Sequence, residues 1–318
     1  MKAIAYQRYG GPEILQACEL PDPSPKANQL LVQVKNTSVN PIDWKRATGK
    51  LRMMMPATFP LIPGYDVAGT VRATGSDVRG FTVGQRVHAR IGETNVGACA
   101  DLVCVGTDVT TAIPDAMSDA DAAALPLAGM TALQAVRNAG GVQQGASTDV
   151  LVVGASGGVG HFAVQIAKAM QAKVVGVCST RNIQLVKSLG ADDVIDYQTG
   201  GVEVNLASSR RFDVIVDCVA GDATAWQAHL KPNGRYVSTV PTGGLLVGQI
   251  FNFTRKQKLL AVMLKSNAKD LATLDQLYTD KKLRVVIDSH YPVAQLKAAW
   301  EYSIRGRATG KIVVDVGR

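Results

Sequence analysis

The spacing of apolar residues changes period twice between Asp149 and Ser179. Val150–Val153 is an unbroken apolar run, the pattern of a parallel strand buried on both faces. Phe162, Ala163, Ile166, Ala167 and Met170 then recur at helical spacing, and a second apolar run leads from Val174 to Cys178. Gly154, Gly157, Gly158 and Gly160 stand at the first switch of period. The pattern predicts a βαβ unit with a glycine turn. Such a turn lets backbone N–H groups approach a pyrophosphate at the positive end of a helix dipole. Ala155 takes the first glycine place of the dinucleotide fingerprint, so the flanking strands and helix carry the assignment.

The alternation continues downstream. Strands are predicted at Lys173–Cys178, Asp193–Asp196, Asp213–Asp217, Arg235–Val240 and Leu259–Leu264. Helices are predicted at Gly158–Met170, Arg181–Leu189 and Asp222–Leu230. Gln249–Lys258 has an ambiguous period and reads as a short helix or a lid. This order predicts a doubly wound parallel sheet. The first third has a different texture, rich in β-branched residues, Gly and Pro. Short strands at Lys2–Tyr6, Gln29–Asn36, Asp66–Ala73, Arg86–Ala89 and Ala100–Val105 are separated by proline-rich loops, as in a small β-barrel-like domain. Ser118 is a good N-cap for a helix at Ala120–Leu125, and a second helical run covers Gly129–Ala139. The tail reads helix Lys269–Thr279, strand Val285–His290, helix Val293–Ile304 and strand Lys311–Val316. Periodicity leaves open which domain these last strands join.

The end of the second parallel strand bears on the cofactor. An NAD-preferring site places Asp or Glu there for the ribose hydroxyls. Here the residues are Cys178-Ser179-Thr180-Arg181-Asn182. Ser179 can donate a hydrogen bond to a 2′-phosphate and Arg181 can pair with it, which favours NADPH. The alternative is that Arg181 is a solvated residue of the next helix.

Composition excludes more than it assigns. The chain has 318 residues, 47% hydrophobic and 19% charged, which suits a globular protein of two domains. No apolar run is long enough for a membrane span. The formal net charge is +8, but Lys and Arg are scattered and aromatic residues make up only 5%, so nucleic acid is not the expected partner. The five cysteines are dispersed without a CxxC pair, and Met1–Tyr6 reads as a strand rather than a targeting segment. Both point to a reduced, cytoplasmic setting. The four histidines are far apart in sequence, and no metal-binding motif appears. His161 opens the helix after the glycine turn, where it could approach the phosphates.

Several further runs carry a family resemblance. They are Asn40-Pro41-Ile42-Asp43-Trp44-Lys45, Pro63-Gly64-Tyr65-Asp66-Val67-Ala68-Gly69, Ala123-Ala124-Leu125-Pro126, Gly129-Met130-Thr131-Ala132-Leu133, Gly190-Ala191-Asp192-Asp193-Val194-Ile195-Asp196-Tyr197 and Ala308-Thr309-Gly310-Lys311-Ile312-Val313. In this order, with the glycine turn among them, they resemble the zinc-free quinone oxidoreductase branch of the medium-chain dehydrogenase/reductase superfamily. Within it they are most similar to the group of plant chloroplast-envelope quinone oxidoreductase homologues and enone oxidoreductases. The resemblance implies an α/β fold with a GroES-like β-barrel domain (1–122 and 265–318) and a Rossmann domain (123–264). The tail then returns to the first domain. Asp43-Trp44-Lys45 stands where zinc alcohol dehydrogenases of the superfamily place a cysteine ligand, and Gly64-Tyr65-Asp66 where they place a His-Glu pair, so no zinc is expected. No plastid-targeting extension is expected, so the plastid location of the plant group is not carried over.

The resemblance further implies transfer of a hydride from NADPH to an α,β-unsaturated carbonyl or a quinone, with a proton following. Asn40, Asp43, Lys45 and Tyr65 are its candidate catalytic residues, with Asn40 as a possible donor, Asp43 as the partner of Lys45 and Tyr65 as an alternative donor. Ser156, Gly157, Gly158, Val159 and Gly160 would face the pyrophosphate. Ser179, Arg181, Asn182 and Tyr197 would surround the adenosine phosphate. Cys218, Val219, Ala220, Val240 and Pro241, at the ends of later strands, would border the nicotinamide. Thr131 and Lys311 are weaker carry-overs to the cofactor. Lys50–Thr58, Arg90–Ala98 and Gly243–Lys258 would shape the acceptor pocket, and a homodimer is expected. Two other readings stay open: an enoyl-thioester reductase, and a crystallin-like or RNA-binding protein that binds the nucleotide with little turnover.

Overall fold

The computed structural model describes residues 1–92, 96–199 and 210–317. Contacts divide the chain into two compact units. One comprises Met1–Leu127, Ser266–Thr279 and Val285–Arg318, and the other Ala128–Lys265 and Asp280–Arg284.

The chain enters the first unit through β1 (Lys2–Ala5), β2 (Gln16–Glu19), β3 (Gln29–Val39), β4 (Asp66–Thr74), β5 (Arg86–Arg90), β6 (Leu102–Gly106) and β7 (Thr110–Ala112). It then forms β8 (Asp149–Val153), β9 (Lys173–Cys178), β10 (Asp193–Asp196), β11 (Phe212–Asp217), β12 (Leu230–Ser238) and β13 (Lys258–Ala261) in the second unit. Finally it returns to the first unit with β14 (Ile287–Pro292) and β15 (Lys311–Asp315).

In the first unit β1 and β2 pair with each other, while a seven-stranded sheet runs β14-β15-β3-β4-β5-β7 with β6 also on β3. Along β3 the residues Leu30, Val32 and Val34 alternate inward and pack on Val67, Val71, Val87 and Val103. Each such burial contributes ~1.5–3 kcal/mol. The alternation stops at Thr37. From there Thr37, Ser38, Val39 and Asn40 are all buried, three of them polar. A run of buried polar groups in a strand needs partners, and it marks the candidate site described below. The helix Ala268–Thr279 is held through Asp275. Its carboxylate accepts from Thr111 Oγ1 at 2.8 Å and lies 3.0 Å from Nε2 of the fully buried His88.

The second unit is a parallel sheet ordered β10-β9-β8-β11-β12-β13. Numbered from β8, this is the 3-2-1-4-5-6 order of a doubly wound dinucleotide fold, with its switch point between β8 and β11. Register brings the carboxyl ends level: Val153 lies beside Val177 and Asp217, Asp217 beside Ser238, and Cys178 beside Asp196.

Several boundaries differ from the sequence reading. The helix expected from Gly158 starts at Gly160, because residues 156–159 complete the turn. The helix expected over Asp222–Leu230 is confined to Ala223–Gln227. Leu230 is taken by the parallel ladder opposite Phe212, so β12 starts five residues earlier than Arg235 and ends at Ser238. The segment from Arg181 begins as a 3-10 turn, Thr180–Asn182, ahead of the α-helix Ile183–Ser188. The ambiguous stretch near Gln249 ends a helix over Gly243–Ile250, followed by a 3-10 turn at Phe251–Phe253. Strands β2 and β7 had no sequence signal, being four and three residues long. Ser118 does cap its helix, accepting from the Asp121 amide at 3.0 Å.

Candidate functional site

In the second unit the site is built mostly from backbone. After β8 the chain turns at Gly154, whose φ of +77° places it in the left-handed region. The Gly154 and Ala155 amides both donate to Val177 O, and Gly157 N donates back to Gly154 O at 3.0 Å. Gly160 opens the helix Gly160–Ala169 directly against this turn. A Cβ there would lie 2.1 Å from Gly154 O, so the turn closes only on glycine. The result is a helix N-terminus behind an open cradle, suited to a pyrophosphate. His161 does not approach it. The ring is fully buried, with Nδ1 2.9 Å from Gly157 O, and it packs on Phe162.

Two side-chain braces flank the cradle. Asn182 donates to Ser156 Oγ at 2.9 Å and to Ser179 Oγ at 3.4 Å, tying the glycine turn to the end of β9. Arg181 is exposed, and Tyr197 is half exposed with its amide on Cys178 O. One carboxylate escaped the sequence reading. Asp196, on the neighbouring strand β10, lies beside Cys178 and accepts from Thr180 Oγ1 at 2.5 Å and the Gln198 amide at 2.9 Å. Strand pairing brings it there from outside the local motif, and its oxygens already have donors.

On the other side of the switch point, Asp217 ends β11 fully buried. Its carboxylate accepts from Val219 N at 2.8 Å, Gly221 N at 2.6 Å and Tyr236 OH at 2.5 Å. This pins the Cys218–Gly221 loop and sustains a positive φ of 62° at Ala220. Burial, with Asp217 beside it, pushes the Cys218 thiol up to about 12, so it stays protonated and unreactive near neutrality. Beyond β12, Val240 N donates to Ser238 Oγ at 3.2 Å, and Pro241 follows. Thr131 is buried on the helix Pro126–Leu133.

In the first unit a buried polar cluster gathers residues from four separate segments. Asp66, fully buried, accepts from Ser38 Oγ at 2.6 Å, Asn40 Nδ2 at 2.8 Å and Leu127 N at 2.8 Å. Lys311, 3% exposed, donates to Asn40 Oδ1 at 2.6 Å and Val39 O at 3.3 Å, with Asp66 Oδ2 at 3.8 Å. Burial lowers the Lys311 ammonium from its usual range, against the pull of Asp66 and Asp43. Asn40 thus spends both ends of its amide inside the protein, and the Lys311 side chain is enclosed in the same cluster.

Asp43 does not pair with Lys45. Its carboxylate reaches back to the Asn40 amide at 2.7 Å, as in a capping box, and across to Gly64 N at 3.0 Å. Lys45 lies 5.5 Å over the Trp44 ring instead. Burial raises the Asp43 carboxyl to about 7, with the Asn40 and Gly64 amides opposing and nearby Asp66 adding to the rise. Tyr65 is buried, accepts from Arg46 at 3.3 Å, and lies under the Arg90 guanidinium. Its hydroxyl is pushed up to about 12 by burial. Of the three stretches expected to shape the acceptor pocket, residues 93–95 of the second lie outside the described residues.

The donor set does not fit a catalytic zinc. Both carboxylates in the cluster have hydrogen-bond donors on their oxygens, and an ammonium stands among them. Among the described residues no three His, Cys, Asp or Glu are grouped to hold a metal ion.

Comparison with known proteins accords with this architecture. Residues 26–163 match the alcohol dehydrogenase GroES-like domain family, and residues 189–314 the zinc-binding dehydrogenase family. The chloroplast envelope quinone oxidoreductase homolog of Arabidopsis thaliana is 38% identical over 99% of this chain and 98% of its own. The 2-methylene-furan-3-one reductase of Solanum lycopersicum is 34% identical over 99% of this chain and 79% of its own. The solved quinone oxidoreductase of Coxiella burnetii superposes with a TM-score of 0.89 at 33% identity, covering 100% of this chain and 99% of that one. The chain is an oxidoreductase that uses a nicotinamide cofactor. Glycine turn, sheet order and GroES-like unit thus converge with these matches: the chain belongs to the quinone oxidoreductase branch of the medium-chain dehydrogenase/reductase superfamily.

Proposed function

We propose that this protein is an NADPH-dependent, zinc-independent reductase of electrophilic acceptors, either α,β-unsaturated carbonyls or quinones. The observation that carries the reading is the buried Asn40–Asp66–Lys311 cluster, in which hydrogen bonds occupy Asp66, one of the residues that stand where zinc-dependent relatives are expected to place metal ligands. A reduction that needs no Lewis acid suits acceptors already polarised by conjugation. The names of the Arabidopsis and tomato relatives support the same two substrate classes.

When bound, the nicotinamide supplies a hydride. In the second unit, the N–H groups at Gly157–Gly160 meet the pyrophosphate, while Ser179, Arg181, Asn182 and Tyr197 receive the adenosine phosphate. The Cys218–Ala220 loop and Val240–Pro241 flank the nicotinamide. Thr131 belongs to the same cofactor set. Lys311, by contrast, keeps its ammonium enclosed in the cluster of the first unit. That unit supplies the polar groups for the acceptor: Lys45 and Tyr65 as donors to the developing oxyanion, and Asn40 and Asp43 as the frame that holds them.

A cytosolic setting fits the free cysteines. No helix among the described residues is long and apolar enough to cross a membrane. A homodimer is part of the proposal. It is supported by β13 at the open edge of the parallel sheet, and by Val247, Ile250, Phe251 and Phe253 exposed beside it.

The deciding experiment is NADPH consumption by the purified chain against an enone, an alkenal, a quinone and an enoyl thioester. Turnover of the first three classes over the thioester, unaffected by a chelator, is expected. Thioester preference, or tight NADPH binding with no turnover, overturns the assignment.

A further inference from the structure

Tyr6 is the one buried phenol in the first unit that the proposed chemistry leaves unused. Its ring is 1% exposed and packs between Phe59 and Trp300, with centroids 6.0 and 6.5 Å away. Its backbone is paired both ways with Leu61. The hydroxyl is therefore held in place, yet it has no hydrogen-bond partner among the described residues. A buried hydroxyl without a partner costs about 1–3 kcal/mol, so its surroundings call for explanation.

They contain a small cavity of about 10 Å³, lined by Tyr6, Asp43, Arg46, Gly64, Tyr65 and Ile91 among others. That is room for one water molecule, and the walls are polar enough to hold it. Tyr6 offers a hydroxyl and Asp43 a carboxyl. Tyr65 offers a hydroxyl that already accepts from Arg46 and so keeps its own proton to give.

We propose that this cavity is a single-water site coupling the Asp43 carboxyl to the Tyr6 and Tyr65 hydroxyls, and that Asp43 is thereby the proton store for the reduction. This rests on the function proposed above. Each turnover consumes one hydride and one proton. The Asp43 O–H bond breaks and its electron pair stays on the carboxylate. The water takes that proton and passes one of its own to the Tyr65 oxygen. Tyr65 releases its phenolic proton to the reduced acceptor, whose oxygen lone pair forms the new O–H bond. Asp43 regains a proton from bulk water. The charged and titratable groups facing Asp43 suit this role. Asp66 and Lys311 lie on one side, Arg46 on its own helix, and Tyr6, Tyr65 and Cys99 around it; the burial-raised Asp43 carboxyl, near 7, exchanges protons readily at neutral pH. Tyr6 is a positioning residue, acting through the water.

The test uses the full chain. The carboxyl stretching band in infrared spectra is followed with pH in the wild type, in Asp43→Asn to assign it, and in Tyr6→Phe. Tyr6→Phe removes a hydroxyl bonded to no other described residue, so a merely structural role leaves the titration where it was. The proposal expects the Asp43 midpoint to rise by about one unit or more, because the carboxylate loses its water. The alkaline limb of the pH–rate profile with a quinone should move with it. An unmoved midpoint overturns the coupling. A moved midpoint with an unmoved limb overturns the proton-supply role. If no acceptor is turned over, the function proposed above has failed, and the infrared titration still decides the coupling.

Discussion

In the second unit the proposed cofactor cradle is built from backbone: the amides after β8, the start of a helix, and glycines whose missing Cβ atoms make the space. In the first unit charge is met by side chains drawn from β3, β4, β15 and the helix at Pro41–Ala47. The two designs differ in what a mutation can do. Backbone geometry fails as a whole when one atom is added. A side-chain cluster fails by degrees, according to which partner is left uncompensated.

The sharpest way to expose that difference is Gly160→Val. Even its Cβ would overlap Gly154 O, a backbone atom that cannot rotate away. The turn must open, and a loss of NADPH affinity of about 100-fold or more is expected, since several amide contacts to the pyrophosphate disappear together. Fluorescence titration of the bound cofactor measures it. Affinity within threefold of wild type would mean that the turn is not the cradle.

Lys311→Met probes the other design. It leaves Asp66 buried with three neutral donors but no cation nearby. Breaking a buried charge pair typically costs about 3–5 kcal/mol. Adding Asp66→Asn should return part of that, because the uncompensated charge is gone, with a coupling of about 1–3 kcal/mol in the double-mutant cycle. Urea unfolding of the four proteins reads the cycle. Strict additivity would show that Lys311 and Asp66 do not act together.

This contrast also explains what the sequence could reveal. The glycine turn was legible because its chemistry is local: four glycines, a strand before and a helix after, all within one stretch. β8 and β9 were legible for the same reason, as nearly continuous apolar runs. The cluster was not. Asn40 and Lys311 stand 271 residues apart, yet their side chains meet at 2.6 Å. Family resemblance placed Asn40, Asp43 and Tyr65 in the candidate site but sent Asp43 to Lys45, a neighbour in sequence rather than in space. Asp196, and the part Asp66 plays as the acceptor of the cluster, went unrecognised because only strand pairing shows what their carboxylates face. The one local signal was the end of alternation in β3, where Thr37 and Ser38 take buried positions that a sheet normally reserves for apolar side chains, with Asn40 buried just beyond the strand.

Asp43 gives a pH signature that separates the two units. Its carboxyl titrates near 3.8 when unfolded and near 7 when folded. Between those values the folded state holds a proton that the unfolded state has released. Stability is therefore full below about pH 4 and is lost as pH rises toward 7, by up to about 4 kcal/mol from this group alone. Asp43→Asn should flatten that decline while leaving cofactor affinity of the second unit unchanged. Urea midpoints measured from pH 4 to 8 check the slope. A decline as steep in the variant as in wild type would assign it to other groups.

The smallest expected effect lies at the edge of the backbone site, where side chains take over. Arg181 is exposed at the end of β9, and its reading as the 2′-phosphate partner competes with its reading as a solvated residue. In water-accessible surroundings a charge-assisted contact contributes modestly, at about 1.5 kcal/mol. Arg181→Ala should therefore raise the Michaelis constant for NADPH about tenfold and that for NADH less than twofold. Asp196 makes this test discriminating. Its carboxylate is the nearest feature resembling an NAD-type acidic residue, but it is occupied by Thr180 and the Gln198 amide. If that occupation holds, the variant loses its NADPH preference without gaining affinity for NADH. Equal effects on both cofactors would remove the phosphate-pairing role of Arg181. A gain for NADH would mean that Asp196, released from Thr180, can serve the ribose after all.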